Sequence, residues 1–581
     1  MKKTIKHRAH AKNYASLVNT PDAVDTLLSD IFLSRGAEFG KHNDYALKHL
    51  TRPDSLKDLD KAVSLLYSAL QTQKKILIVG DFDADGATST AVAMRCLQSF
   101  GCTNVDYLVP NRFVYGYGLT PEIVAVAAEK NPDLIVTVDN GISSVEGVKA
   151  AKERGIQVLV TDHHLPGKDH PEADAIVNPN QHGCEFPSKN LAGVGVIFYV
   201  MSALRKKLRD EKWFEEQGIS EPNLAEVLDL VALGTVADVV PLDYNNRILV
   251  SAGLQRMRAG KACSGITALL NVAGKEAQRL SSTDLGFTLG PRLNAAGRLD
   301  DMSLGIQCLI TNNLSQTMDY ARELDELNRD RKLIEGSMQQ EALKQFEQFS
   351  QTELDAQSAG VCLYQPDWHQ GVIGILASRI KDRMHRPTII FADTDNDELK
   401  GSGRSIPGVH LRDVLDEVAA HSPGLIEKFG GHAMAAGLSL APEKLPEFKS
   451  VFNQVVENHL TEELCEPIVM SDGDLPEEFL NLQVAQVLKN VGPWGQLFPE
   501  PTFHGSFQIV NQRIVGQKHL KLVLSREPYS NLVFDAIAFN VDVDKWPNPN
   551  ARDVRIAYQL DVNVYRGKES LQLMVMDLAE G

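Results

Sequence analysis

Carboxylates crowd one short stretch of the chain. Asp81, Asp83 and Asp85 occupy alternate positions in "VGDFDADGATST" (79–90), directly after the apolar run "KKILI" and just before Gly86. Like charges at this spacing repel one another unless a cation sits between them. Three further places put hard ligands straight after an apolar run: Asp139 in "TVDNG", Asp162-His163-His164 in "VTDHH" and Asp238 in "GTVADVVPL". An oxygen-rich set with a few imidazoles suits Mn²⁺ or Mg²⁺ better than zinc or copper, which take more nitrogen and sulfur. Two such ions about 3.5–4 Å apart are the standard device for phosphodiester hydrolysis. One activates a water, and both stabilise charge on the phosphorus.

Taken singly, each acid has a plainer role. An aspartate at a strand end is often a helix N-cap, which Asp139 could be, and Asp238 could cap a turn. Asp81, Asp83 and Asp85 imitate the start of an EF-hand loop, but the glutamate such a loop needs further on is absent. Four ligand-bearing run ends in succession outweigh these separate readings.

The elements that must position them follow from periodicity. From about residue 74, apolar runs at 76–80, 105–110, 134–139 and 156–162 alternate with helix-like stretches at 87–99, 121–130 and 144–154. This alternation predicts a parallel, doubly wound sheet whose carboxyl ends line one edge, so residues from separate strands can converge. Residues 223–242 read as a buried helix running into a loop. "LAGVGVIFYV" (191–200) lacks GxGxxG and a preceding strand, and reads as a helix start or a place of close packing. Before the sheet, residues 1–70 carry helix-like segments near 22–35 and 56–71.

Beyond it, Met318, Ala321, Leu324, Leu327, Ile334, Met338, Ala342, Phe346 and Phe349 recur at helical spacing. They predict one helix over 315–349 with Ser315 as N-cap, roughly 50 Å long and able to bridge two lobes. A second α/β pattern fills about 358–460. From about 466 apolar and polar residues alternate between turns, which predicts an antiparallel β module of the size of an OB-fold.

The expected fold class is therefore two α/β lobes joined by a long helix, plus a C-terminal antiparallel β-barrel. The expected divisions are 1–70, a helical segment; 71–240, the catalytic domain; 241–350, an extension with the connecting helix; 351–465, the second lobe; and 466–581, the barrel.

Composition narrows the class. The 581 residues are 43% hydrophobic and 23% charged, as in ordinary globular chains. No apolar run reaches 18 residues, so no membrane span is expected. The net charge of −17 argues against a polyanion binder over the whole surface, but permits a locally basic channel. "MKKTIKHRAHAKNYASL" is basic and lacks an apolar core, so it is no secretory signal. Its Lys and Arg could meet phosphate, a solvated, frayed terminus being the plainer reading. Seven scattered cysteines without CxxC fit a reducing cytoplasm rather than a zinc knuckle or a disulfide frame.

Longer stretches carry a resemblance: "VGDFDADGATST", "YLVPNRFVYGYGL", "IVTVDNGIS", "VTDHHLPG", "GTVADVVPLDYNNR", "LGPRLNAAGRL", "WHQGVIGILASRIK", "KGSGRSI", "KFGGHAMAAGLSL" and "GPWGQLFPEP". Over essentially its whole length the chain resembles the DHH phosphoesterase superfamily, named for the triplet at 162–164. Within it, the chain is similar to the single-strand-specific 5′→3′ DNA exonucleases. The resemblance implies a DHH catalytic domain, a companion substrate-binding domain (DHHA1) marked by Gly430, Gly431 and His432, and an OB-fold.

It implies Asp83, Asp85, Asp139, His163 and Asp238 as ligands of two divalent ions, Mn²⁺ or Mg²⁺, with Asp85 and Asp139 bridging. Asp81 and Asp162 would support ligands or a water, His164 would meet phosphate, and Arg404 and His432 would neutralise phosphate oxygens. Arg112, Arg292, Asn294, Arg298, Arg379, Ser402, Gly430 and Gly431 are the expected DNA or phosphate contacts, with Tyr117, Tyr115 and Phe113 for base stacking. Any one of these arginines could instead form a structural ion pair. "QKHLK" (517–521) and "NVYRGK" (563–568) offer basic positions on the β module.

The implied activity is a metal-dependent exodeoxyribonuclease that threads single-stranded DNA between the lobes and releases 5′-mononucleotides in repair and recombination. A single-strand-binding protein and a DNA helicase are the expected partners, the cytoplasm the expected location and a monomer the expected state. A small-substrate phosphoesterase acting on cyclic dinucleotides, nanoRNA or polyphosphate would need only two domains. A non-catalytic scaffold would be expected to lose motif acids, and all are present.

Overall fold

The basic N-terminus is a strand, β1 (Thr4–Asn13), where a solvated end leading into a helical segment was expected. It is held by parallel pairing with a strand more than 450 residues further on, from Thr4 with Ile468 to Asn13 with Asp474. The helix-like segments follow at Ala23–Leu33 and Leu59–Gln71. The structure, a computed structural model, describes residues 3–17, 22–111, 115, 118–348, 359–394, 397–526 and 532–581. The chain divides into two compact units, each discontinuous in sequence.

One unit comprises Val24–Asn328 and Gln483–Pro501. Its centre is a five-stranded parallel sheet of β2 (Ile76–Gly80), β3 (Val105–Leu108), β4 (Leu134–Val138), β5 (Gln157–Thr161) and β6 (Ala175–Val177). The spatial order is β3-β2-β4-β5-β6. "ILIVG" and "LIVTV" are buried at every position, the pattern of parallel strands covered on both faces. β6 adds a strand that three residues were too few to signal.

The chain passes from β2 to β3 on one side and returns to β4 on the other. That reversal makes a crevice at the carboxyl ends, where ligands bind in open α/β sheets. The helices Ala84–Ser99, Gly193–Asp210 and Leu228–Ala237 pack on one another beside it.

Residues 483–501 also belong to this unit, although the barrel was expected to begin at 466. Trp494 stacks on Phe498 at 5.2 Å between ring centres, and both meet Phe32. Arg247, almost fully buried, lies 3.9 Å over the Phe498 ring. The Leu242 N–H donates to the Gln496 carbonyl at 2.8 Å.

The other unit comprises residues 1–23, Arg329–Leu482 and Thr502–Gly581. It holds a mixed sheet of β7 (Val361–Tyr364), β8 (Thr388–Asp393), β9 (Leu399–Arg404), β10 (Lys428–Gly431) and β11 (Ala435–Leu440), ordered β10-β11-β9-β8-β7. Phe391, Phe448 and Phe452 fill its core.

The last sheet contains β12 (Ile468–Asp474), β13 (Phe503–Val515), β14 (His519–Ser525), β15 (Phe534–Ala538), β16 (Asp553–Tyr565) and β17 (Lys568–Glu580). β13 pairs with both β14 and β16, which closes five strands into a barrel, and β1 and β12 extend its sheet. Within the barrel the pairing of β15 with β17 is parallel, beside the antiparallel pairings of β13 with β14 and β16.

The long helix runs from Leu314 to Gln348, with Phe349 outside the described residues. Its first turn is capped by Asn313, whose Oδ1 accepts the N–H groups of Ser315 and Gln316 at 3.0 and 3.3 Å. Ser315, expected as the cap, lies one residue inside.

Candidate metal centre

Three strand ends supply the first ligands. β2 runs into Asp81, β4 into Asp139 and β5 into Asp162, so the parallel register alone brings these carboxylates to one edge. The residues that follow are shaped around them. Asp83 Oδ1 accepts the N–H groups of Asp85 and Gly86 at 2.9 and 3.0 Å, capping the helix that starts at Ala84. A Cβ on Gly86 would lie 2.3 Å from the Asp81 carbonyl oxygen, so only glycine lets the helix start this close to the strand end.

Asp85 is fully buried, and its two oxygens take the Gly193 and Val194 N–H groups at 2.6 and 3.0 Å. The helix Gly193–Asp210 thus aims its N-terminus at a carboxylate. A Cβ on Gly193 would stand 2.6 Å from the Asp139 Cβ. "LAGVG", read as a helix start or close packing, is therefore both.

The DHH triplet is held by its own aspartate. Asp162 Oδ1 accepts the His163 and His164 N–H groups, and meets His164 Nδ1 at 2.8 Å. Its other oxygen accepts the Ile142 N–H at 2.8 Å, tying the triplet to the loop after Asp139. The Asn140 side chain donates to the Val79 and Val138 carbonyls and clamps the ends of β2 and β4.

His163 Nε2 then lies 3.1 Å from Asp139 Oδ1 and 3.4 Å from Asp238 Oδ2. Asp238 comes from the end of the helix Leu228–Ala237. Asp139 and Val239, which neighbours Asp238, both have left-handed backbone (φ +62° and +61°). Non-glycine residues there store on the order of 1–3 kcal/mol each, a strain that gathers at functional sites.

Three groups of ligand atoms lie within 4.8 Å of one another: Asp139, His163 and His164; Asp85, His163 and Asp238; Asp81, Asp83 and Asp139. All five expected ligands are in this set. So are Asp81 and His164, which were expected to act around the ions rather than on them.

Burial and mutual repulsion press on the same acids. Burial, then Asp83, push Asp85 up to about 7 against the pull of the Val194 and Gly193 N–H groups. Burial and the charges of Asp85 and Asp83 drive Asp139 and Asp238 well above the usual carboxylate range. Asp162 stays below that range, because the His164 hydrogen bond and the two imidazoles outweigh its burial. Burial lowers His164, but Asp162, Asp81 and Asp83 more than reverse this and raise it to about 8. Carboxylates that repel each other around imidazole nitrogens form a donor set that fits hard divalent cations.

The expected DNA contacts are placed less uniformly. Arg292 is committed within the fold: its Nε and Nη2 lie 2.9 and 2.8 Å from Asp325, and Nη1 donates to the Thr288 carbonyl. Asn294 braces the metal loop, its Oδ1 accepting the Ala84 N–H at 2.8 Å. Arg298 sits half-buried in the last turn of the same helix, Gly290–Leu299. Arg112, Phe113 and Tyr117 lie outside the described residues. Tyr115 packs against the core of the parallel sheet.

In the other unit, Arg379 is paired with Glu335 at 2.8 Å while remaining largely exposed. Ser402 and Arg404 stand together, with Arg404 Nη1 3.2 Å from Ser402 Oγ. A Cβ on Gly374, in the first turn of the helix Ile373–Met384, would be 2.9 Å from both side chains. Arg404 pairs across β9 and β11 with Ala435, whose carbonyl accepts the His432 N–H at 2.8 Å in the β10–β11 turn. Ser402, Arg404, Gly430, Gly431 and His432 thus gather at one end of this sheet, beside a helix N-terminus, which is a place for an anion.

Comparison with known proteins places family domains over both units. The DHH family N-terminal domain matches residues 75–235, the DHHA1 domain 357–458 and the RecJ OB domain 471–577. The chain is 53% identical over 556 residues to the single-stranded-DNA-specific exonuclease RecJ of Escherichia coli (strain K12), covering 96% of each chain. It is 49% identical over 577 residues to the protein of that name from Haemophilus influenzae, covering 99% of each. A crystal structure of RecJ in complex with Mn²⁺ from Thermus thermophilus superposes with a TM-score of 0.77 at 29% identity, over 96% of this chain and 76% of that one. The Mg²⁺ complex from the same source gives 0.72 at 27% identity, over 96% and 75%.

Proposed function

The chain belongs to the RecJ family of DHH phosphoesterases, and we propose that it degrades single-stranded DNA from the 5′ end, releasing 5′-mononucleotides. It is a divalent-metal-dependent exonuclease. The observation that carries the proposal is the convergence of Asp81, Asp83, Asp85, Asp139, His163, His164 and Asp238 on one crevice. Asp139 and His163 are each shared by two of the three ligand groups, which supports a pair of ions rather than one.

Bound there, Mn²⁺ or Mg²⁺ would lower the pKa of a water and neutralise charge developing on the scissile phosphate. The chain's own residues do the rest. Asp83, Asp85, Asp139, His163 and Asp238 hold the cations. The Gly193 and Val194 N–H groups fix Asp85, and Asp162 fixes His164 to meet a phosphate oxygen. Ser402, Arg404 and His432, with the N-terminus of the helix Ile373–Met384, take phosphates of the strand. Arg298 and Arg379 are further backbone contacts. The barrel holds the strand by stacking and charge. The work belongs to DNA repair and recombination, where a helicase and a single-strand-binding protein would supply and cover the strand, and a monomer suffices. Among the described residues no helix is long and apolar enough to cross a membrane.

The deciding experiment offers 5′-labelled single strands, duplex and diribonucleotides to the protein with Mn²⁺ and with chelator. Release of labelled mononucleotide from the single strand, only with metal, is expected. Preference for the diribonucleotide would replace this reading by a small-substrate phosphoesterase.

A further inference from the structure

Cations are concentrated at one end of a chain that is otherwise strongly acidic. The first 17 residues hold Lys2, Lys3, Lys6, Arg8 and Lys12 and no acid, a charge of +5 with histidines neutral; the remaining 564 residues therefore carry −22 of the net −17. β1 displays three of these five cations, Lys6, Arg8 and Lys12, on a fixed frame. Its pairing with β12 is regular from Thr4 to His7, then shifts register before resuming at Lys12 opposite Gly473. The shift sets four residues (8–11) against Asp472 alone, a bulged or irregular stretch with His10 in left-handed backbone (φ +67°). Bulges re-aim side chains and recur beside functional surfaces.

The strand is pinned to the barrel at several points. The Lys3 Nζ donates to the Met576 carbonyl on β17 at 3.2 Å, the His7 ring lies 4.9 Å from that of His504 on β13, and Tyr14, just past β1, is buried. Acids face it as well: Asp472 lies 3.8 Å from Arg8, Glu466 accepts from the Thr4 hydroxyl, and Asp474 stands opposite Asn13. Lys6, His10 and Lys12 are exposed. β1 is the terminal strand of the seven-stranded order, so among the described residues no strand pairs with its outer edge.

We propose that β1 is a contact for the phosphate backbone of single-stranded DNA, a basic edge added to the barrel from the far end of the sequence. The inference rests on the proposed single-stranded substrate. Charge complementarity and continuity with an OB barrel select that occupant: the strand offers cations spaced along about 30 Å of extended chain, and such barrels hold single strands by backbone charge together with stacking. Lysines on an edge strand also discourage edge-to-edge aggregation, and the test separates the two roles.

The variant is Lys6→Gln/Lys12→Gln in the full chain, both positions being exposed. Binding to a fluorescent oligodeoxythymidylate is measured with Ca²⁺ in place of Mn²⁺ across a salt series, beside thermal unfolding and steady-state kinetics with Mn²⁺. Removing one lysine–phosphate pair lowers the slope of log K against log salt by about 0.7 for single strands. The expected result is a slope smaller by about 1.4, twice that figure, with a KM raised several-fold, an unchanged kcat and an unchanged unfolding temperature.

An unchanged slope and KM, with or without new aggregation, overturns the inference in favour of edge protection. Loss of binding to polyglutamate with DNA binding intact overturns it in favour of an acidic protein partner. Wild-type protein that fails to bind the oligonucleotide overturns the functional reading itself, and this inference with it.

Discussion

At the residue scale the metal centre is a balance of repulsions. Asp85 shows the sign most clearly: burial and Asp83 raise it to about 7, although two backbone N–H groups favour its charged form. An acid raised on folding stabilises the fold fully below its unfolded pKa and loses that contribution as pH rises through the folded value. Chelated protein is therefore expected to lose stability progressively from about pH 4 to about pH 8, with added Mn²⁺ having most to offset at the upper end. Because the cation must displace that proton, Mn²⁺ affinity should rise roughly tenfold from about pH 6 to about pH 8 for one such group. Calorimetric titration in buffers of different ionisation enthalpy checks both the affinity and the proton release. Flat affinity would mean that Asp85 is already ionised.

Most ligands were legible because they follow apolar runs whose strand character fixes where they end, while Asp238 follows a buried helix. The partners of the arginines were not. Arg292 meets Asp325, 33 positions away, and no local pattern announces such a pair.

At the scale of elements, the helix Gly290–Leu299 supports the loop that carries Asp81, Asp83 and Asp85. Asn294, expected to meet DNA, accepts the Ala84 N–H beside Asp83. Supporting contacts of this kind typically matter about 10–100-fold in metal affinity. Asn294→Ala is expected to weaken Mn²⁺ binding about tenfold and to leave DNA affinity in chelator unchanged. The opposite outcome, intact metal binding with weakened DNA binding, would return Asn294 to the phosphate contacts.

Strand–helix alternation made β2 to β5 readable; full burial writes β2 and β4 as continuous apolar runs, while β3 is half-buried throughout. β6 was too short to show a period. The cap of the long helix is Asn313 and not Ser315, since both are cap-forming types and only the backbone geometry chooses between them.

At the scale of the molecule, sequence order and spatial order part company. β1 joins the barrel sheet, and residues 483–501 join the unit of the metal centre. Periodicity reports which face of an element is apolar, but not which distant element covers it. A truncation follows from this. Ending the chain after 465 removes Trp494 and Phe498 from their packing with Phe32 and Arg247. Losing a buried large aromatic side chain costs about 3–5 kcal/mol. The unit holding the metal centre is thus expected to unfold at much lower temperature in that variant than in one ending after 501. Equal transitions for the two would show that the segment contributes little.

The central claim is that this constellation of strand ends holds the cations that hydrolyse DNA. Asp139 is buried, belongs to two of the three ligand groups and lies 3.1 Å from His163. The most direct measurement takes Asp139→Ala and compares Mn²⁺ binding and turnover of 5′-labelled single strands with wild type, alongside circular dichroism. Loss of turnover to background and weakened Mn²⁺ binding, with the spectrum unchanged, is the expected result. Turnover at the wild-type rate from the folded variant would contradict the account.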